Sequence, residues 1–214
     1  MKAMKLAGFS AALFAAVVAS GCGDVARSGR APAQVVVVAL EAASGAEPDE
    51  FGTILSSDVV TIVQRSVEVD GETEQVGVPT IFGDNGRVTM RLVMKDPGAP
   101  GNPTSPSNLN AITFTRYRVN YRRTDGRNTP GVDVPYGFDS AATFTVSGEE
   151  ETTAGFTVVR LIAKQEAPLA ALASSRNLIS TIADVTFWGR DQAGNEVMAT
   201  GSIGVTFGNF GDPE

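Results

Sequence analysis

Cys22 is the only cysteine in the 214-residue chain, so no disulfide can close within it and the fold must stand on a packed apolar core. The means for such a core are present, with 43% hydrophobic and 19% charged residues. That balance is ordinary for a globular chain, and the length suits one domain, since single cores run to roughly 100–200 residues. Histidine is absent, which removes Ser-His-Asp and Cys-His catalysis and the commonest ligand of zinc, copper and haem iron. The 23 glycines and 11 prolines, set among many Val, Thr, Ile and Phe, favour strands joined by turns over helices.

The lone cysteine also ends a distinctive segment. Lys2 and Lys5 precede an apolar run over residues 6–19, shorter than the about 20 residues a transmembrane helix needs, and the run closes in Ala19-Ser20-Gly21-Cys22. This tetrapeptide resembles the lipobox of bacterial lipoproteins, with Ala19 where that family most often has Leu. The resemblance implies that residues 1–21 are a cleaved signal peptide. It also implies that Cys22 carries a diacylglycerol thioether and that the new amino terminus is acylated, palmitate being a usual chain. Two or more chains anchor a protein stably at a membrane, whereas one binds only marginally. The competing reading is an ordinary secretory signal that leaves Cys22 as a free thiol. Residues 22–33, rich in Gly, Ser, Ala and Pro, read as a flexible tether.

Without Lys2 and Lys5 the mature chain carries 15 basic and 24 acidic residues, a net of 15 − 24 = −9. A surface of that sign is a poor match for nucleic acid, whose phosphates demand a cationic partner.

From residue 34 to 208 the pattern is strands and turns. Residues 34–40 form a Val-rich run, 58–63 a shorter one, and 87–95 alternate with Val88, Met90, Leu92 and Met94 on one face. Asp84-Asn85-Gly86 reads as a turn, and 96–110, with four prolines, as an unusually long loop. In 111–123 the apolar phase slips between Ile112 and Phe114 on one side and Tyr117, Val119 and Tyr121 on the other, which predicts a bulge near Thr115 and Arg116. A second loop is expected over 124–140, strands over 142–146, 156–164, 181–190 and 196–207, a helical turn over 168–173, and a tail over 209–214. The expected fold is an all-β, two-sheet antiparallel sandwich, with an eight-stranded barrel as the rival. Residues 189–197, with Asp191 followed by Ala193-Gly194-Asn195, resemble the last hairpin of bacterial immunoglobulin-like and fibronectin-like domains, which favours the sandwich.

Two constellations stand out as binding candidates. Alternation puts Val185 and Phe187 on one face of the 181–190 strand and Trp188, the only tryptophan, on the polar one. There it serves as a stacking platform or sits beneath a neighbouring loop. Arg116, Arg118 and Arg122 recur at strand spacing, suited either to an anionic ligand or to cross-strand pairing with acids such as Glu149, Glu150 and Glu151. Asp125, Asp133 and Asp139, and separately Asp184, Asp191 and Asn195, offer oxygen atoms to calcium but lack the spacing of an EF-hand loop. No Ser-x-x-Lys motif or phosphate-cradling glycine loop is present. The chain therefore reads as a non-enzymatic, lipid-anchored envelope protein that binds a protein or glycan through the 96–110 and 124–140 loops. A passive assembly scaffold is the alternative, and a hydrolase using paired carboxylates a third reading. No cofactor or metal is called for.

Overall fold

The computed structural model describes residues 29–69 and 72–210, so the signal segment, Cys22 and most of the expected tether lie outside the described residues. The chain is mostly strand. In order the strands are β1 (Ala33–Ala43), β2 (Ile54–Asp58), β3 (Thr61–Val69), β4 (Glu72–Thr80), β5 (Asp84–Met94), β6 (Gly98–Ala99), β7 (Asn102–Pro103), β8 (Ile112–Arg122), β9 (Phe138–Val146), β10 (Thr152–Val159), β11 (Ile179–Asp191) and β12 (Glu196–Gly208). A one-turn helix, α1 (Leu161–Lys164), and a 3-10 helix (Leu169–Ser174) lie between β10 and β11.

Two sheets share the core. One has the order β1-β5-β10, and the other, curled into a half-barrel, has the order β2-β12-β11-β8-β9. Their inner faces follow from period-2 alternation. Val88, Met90 and Leu92 of β5 and Phe156 and Val158 of β10 are buried on one side; Tyr117 and Val119 of β8 and Val185 and Phe187 of β11 are buried on the other. Aromatic rings join them, with Phe156 edge-on to Phe187 at 5.4 Å and to Tyr117 at 5.4 Å. Two tyrosines of β8 also reach the backbone of β10. Tyr121 Oη donates to the Val158 carbonyl (2.6 Å) and Tyr117 Oη accepts from the Thr157 amide (3.0 Å). Burial drives the Tyr121 phenol far above its ordinary pKa, so it stays a donor at any physiological pH.

Several sequence expectations are met. The bulge in β8 falls between Phe114 and Arg116, β5 and β11 match the expected alternation, and β12 matches the expected strand. Others are corrected. The expected turn at Asp84-Asn85-Gly86 is the start of β5, because Asp84 is buried and held by Ser57, Gly45 and Lys164, and Gly86 leaves room for a ring: a Cβ there would stand 2.5 Å from Phe156 Cζ. The 156–164 strand ends at Val159, and α1 turns the chain so that Lys164 enters the core. The run at 58–63 is split, since Val59 is buried with its amide donating to the Gly208 carbonyl (2.9 Å) while β3 leaves as a separate arm. Ala31 and Ala33, placed in the tether by composition, are buried. Among the named strands the pairing is antiparallel except between β2 and β12, which run parallel from Ile54 beside Gly204 to Asp58 beside Gly208.

The arm is missing from the sequence expectations, although Asp70-Gly71 between alternating valines is a hairpin signal. β3 and β4 pair only with each other as a sheet, and residues 64–68 and 72–77 are all exposed. Opposed residues share a face, so Val63 with Val78, Arg65 with Val76, and Val67 with Glu74 make one valine-rich side that also carries Arg65 and Glu74, while Gln64, Ser66 and Gln75 lie on the other with Ile62 and Pro79.

Candidate functional site

Trp188 and Arg116 meet on the outer face of the curled sheet. Phe187 points into the core, so Trp188 points out. The bulge in β8 adds one residue and re-aims the strand, so that Arg116 lies opposite Trp188, which in turn lies opposite Met198 of β12. The three side chains form a cross-strand row. The guanidinium carbon of Arg116 stands 4.4 Å from the centre of the Trp188 ring, a cation–π contact on an indole that is itself half-buried. An open groove of about 990 Å3 surrounds them, its walls including Thr113, Arg190, Glu196 and Met198.

The remaining arginines of the stripe are engaged. Arg118 pairs with Asp139 (3.7 Å), and Arg122 with Asp184 (2.6 Å), whose other oxygen accepts from Ser202 Oγ (2.6 Å). Their partners are therefore cross-strand aspartates and not Glu149, Glu150 or Glu151. Arg116 has no carboxylate partner among the described residues, and its charge is the uncompensated one.

The aspartates considered for calcium are also engaged. Asp125 is clamped by Arg123 (2.7 Å) and Arg127 (2.9 Å), which hold its carboxyl far below the usual range; Asp133 accepts from the Thr129 amide, and Asp191 ties the β11–β12 turn through Asn195. Among the described residues no group of three or more acidic, His or Cys side chains is arranged to hold a metal ion.

The topology separates two poles. At one, Lys95 binds back to the incoming chain through the carbonyls of Pro32 and Gly29, Arg30 shares a small hollow with Arg190, Asn195 and Glu196, and Gln192 Nε2 donates to the Asn108 carbonyl (2.8 Å). The 96–110 loop therefore stands with the incoming chain. At the other pole lie the β3–β4 arm, α1 and the loop of 123–137, which ends three residues sooner than expected because β9 begins at Phe138. Eleven residues of β8 separate the two loops, roughly 35 Å at strand rise. They cannot form the single contact surface that the sequence suggested.

The groove was half legible in the sequence. Alternation gives the outward aim of Trp188 and, along β12, that of Met198, which is 57% exposed. Nothing local gives the register that sets Arg116 beside Trp188, or the buried Asp84–Lys164 pair, whose members are 80 residues apart. Among the described residues no helix is long and apolar enough to cross a membrane. Comparison with protein-family models, characterised proteins and solved structures finds no match to this chain.

Proposed function

We propose that the protein is a lipid-anchored, non-enzymatic component of the bacterial cell envelope, a two-sheet immunoglobulin-like sandwich that holds a protein or glycan at the pole remote from its anchor. The supporting observation is the polarity of the body. The incoming chain reaches it at Gly29–Pro32, on the same end as the β11–β12 turn, while the arm leaves it at the opposite end with an exposed valine face. An anchor at Cys22 directs the arm and the 123–137 loop, with exposed Val132 and Tyr136, away from the bilayer. A free two-stranded ribbon is at best marginally stable in water, which favours a partner on its valine-rich side over a passive scaffold. The paired Arg118 and Arg122 have structural employment.

Two measurements test this reading. Intact-mass analysis of the native protein should show residues 1–21 removed and fatty acyl mass on Cys22. A body beginning at Gly23 should capture envelope partners that are lost when Val67→Glu and Val76→Glu load the valine-rich face with charge. Retention of every partner by that variant, folded as judged by an unchanged melting transition, sinks the arm as the binding element.

A further inference from the structure

We propose that the Trp188 groove is a bilayer-contacting surface, in which Trp188, Met198 and Leu109 meet the headgroup boundary and Arg116 binds a phospholipid phosphate. This rests on the anchor reading at Cys22 and assigns a role to a surface that the remote-pole partner leaves unused.

Chain length supplies the first argument. Six residues lie between Cys22 and Gly29, seven Cα steps that reach at most about 25 Å even when fully extended. The chain then arrives beside the groove, because Arg190 and Glu196 line both the groove and the hollow that holds Arg30. A lipid on Cys22 thus confines this face close to the membrane, and tethering turns even a weak contact into an intramolecular one.

The chemistry of the face supplies the second. Tryptophan combines an apolar ring with an N–H and concentrates at membrane interfaces. Met198 and Leu109, 57% and 80% exposed, have no use for water, and Leu109 is held at this pole by the Asn108–Gln192 bond. Arginine offers a fork that matches phosphate oxygens. The groove also contains acids: Glu196 pairs with Arg190 (3.5 Å), Asp191 adds a carboxylate held in its own turn by Asn195, and Arg116 is the groove's cation without a carboxylate partner. Exposed Glu149, Glu150 and Glu151 of the β9–β10 turn stand at this pole and Glu68, Glu72 and Glu74 on the arm at the other, so net charge does not orient the body and Arg116 is the local point of attraction for a phosphate.

Trp188 is the only tryptophan, so its fluorescence reports the groove alone. The experiment uses the mature chain with Cys22 coupled to a maleimide-bearing phospholipid in vesicles of phosphatidylethanolamine and phosphatidylglycerol, with and without brominated lipid. Emission should shift to the blue relative to the untethered body and be quenched by the brominated lipid, and Arg116→Glu should weaken the quenching. A double variant, Trp188→Phe with Tyr136→Trp, carries the reporter to the far pole and should escape quenching. Unquenched Trp188 emission in the coupled protein overturns the proposal, as does equal quenching at the far pole. Emission indifferent to brominated lipid but shifted by polygalacturonate overturns it in favour of a glycan site. Because the coupling is chemical, an unmodified Cys22 in the native protein would sink the anchor reading separately, without altering these outcomes.

Discussion

Lys164→Met should lower folding stability by about 3–5 kcal/mol, read as a fall in the midpoint of urea unfolding with little change in slope. The side chains of Lys164 and Asp84 are 1% and 0% exposed, and Lys164 Nζ donates to Asp84 Oδ1 (2.9 Å) and to the Asp58 carbonyl (2.7 Å). Asp84 also accepts from Ser57 Oγ (2.5 Å) and the Gly45 amide (2.9 Å). These five residues tie the β1–β2 connection, β2, the start of β5 and α1 to one point. Methionine matches the stem of lysine in length, so the principal loss is the ammonium, and a carboxylate is left in the core without its counter-charge. Adding Asp84→Asn should recover most of the deficit, since the amide oxygen can still accept from the Gly45 amide while its NH2 donates to Ser57 Oγ, whose hydroxyl can rotate to accept.

The deficit should also depend on pH. Burial holds the Asp84 carboxyl above its ordinary value, against the downward pull of the Lys164 charge and of hydrogen bonds from Ser57, Lys164 and Gly45. Between the ordinary value and the raised one, the folded state keeps a proton that the unfolded state has released, so stability falls as pH rises through that window. Removing Lys164 extends the window upward. The variant should therefore approach the parent in acid and fall furthest behind above the raised value; a deficit equal at every pH would show that Asp84 is not its seat.

None of this was visible in the sequence, and the reason is physical. Asp84 sits before Asn85-Gly86, a local signal for a turn, and only contacts from Gly45, Ser57 and Lys164 override it. Lys164 follows a β-branched run that reads as strand, and the charge that bends it inward lies far away in the chain. The arm escaped for the opposite cause. Val63, Val67, Val76 and Val78 alternate with polar residues about Asp70-Gly71, a hairpin signal, but residues 64–68 and 72–77 bury neither face, so no core periodicity accompanied it. Where a strand has one wet and one dry face, as in β5, β8 and β11, the sequence disclosed even the bulge at Phe114–Arg116.

The same alternation makes Phe187 and Trp188 a matched test, because adjacent large aromatics should differ widely in consequence. Phe187 is fully buried and touches four rings, with centroids at 5.4 Å from Phe156, 5.9 Å from Tyr117, 6.0 Å from Phe144 and 6.4 Å from Phe114. It is the point where both sheets meet. Phe187→Ala should lose about 3–5 kcal/mol, from the transfer of the ring and from a cavity that rigid neighbours cannot close. Trp188→Ala removes a larger side chain but one that packs on the outer face against Arg116, a contact of about 0.5–1 kcal/mol at exposed sites. Parallel urea titrations should place the Phe187→Ala midpoint well below that of Trp188→Ala. Were the order reversed, Trp188 would be part of the core, and the groove built around it could be neither a binding surface nor a membrane contact.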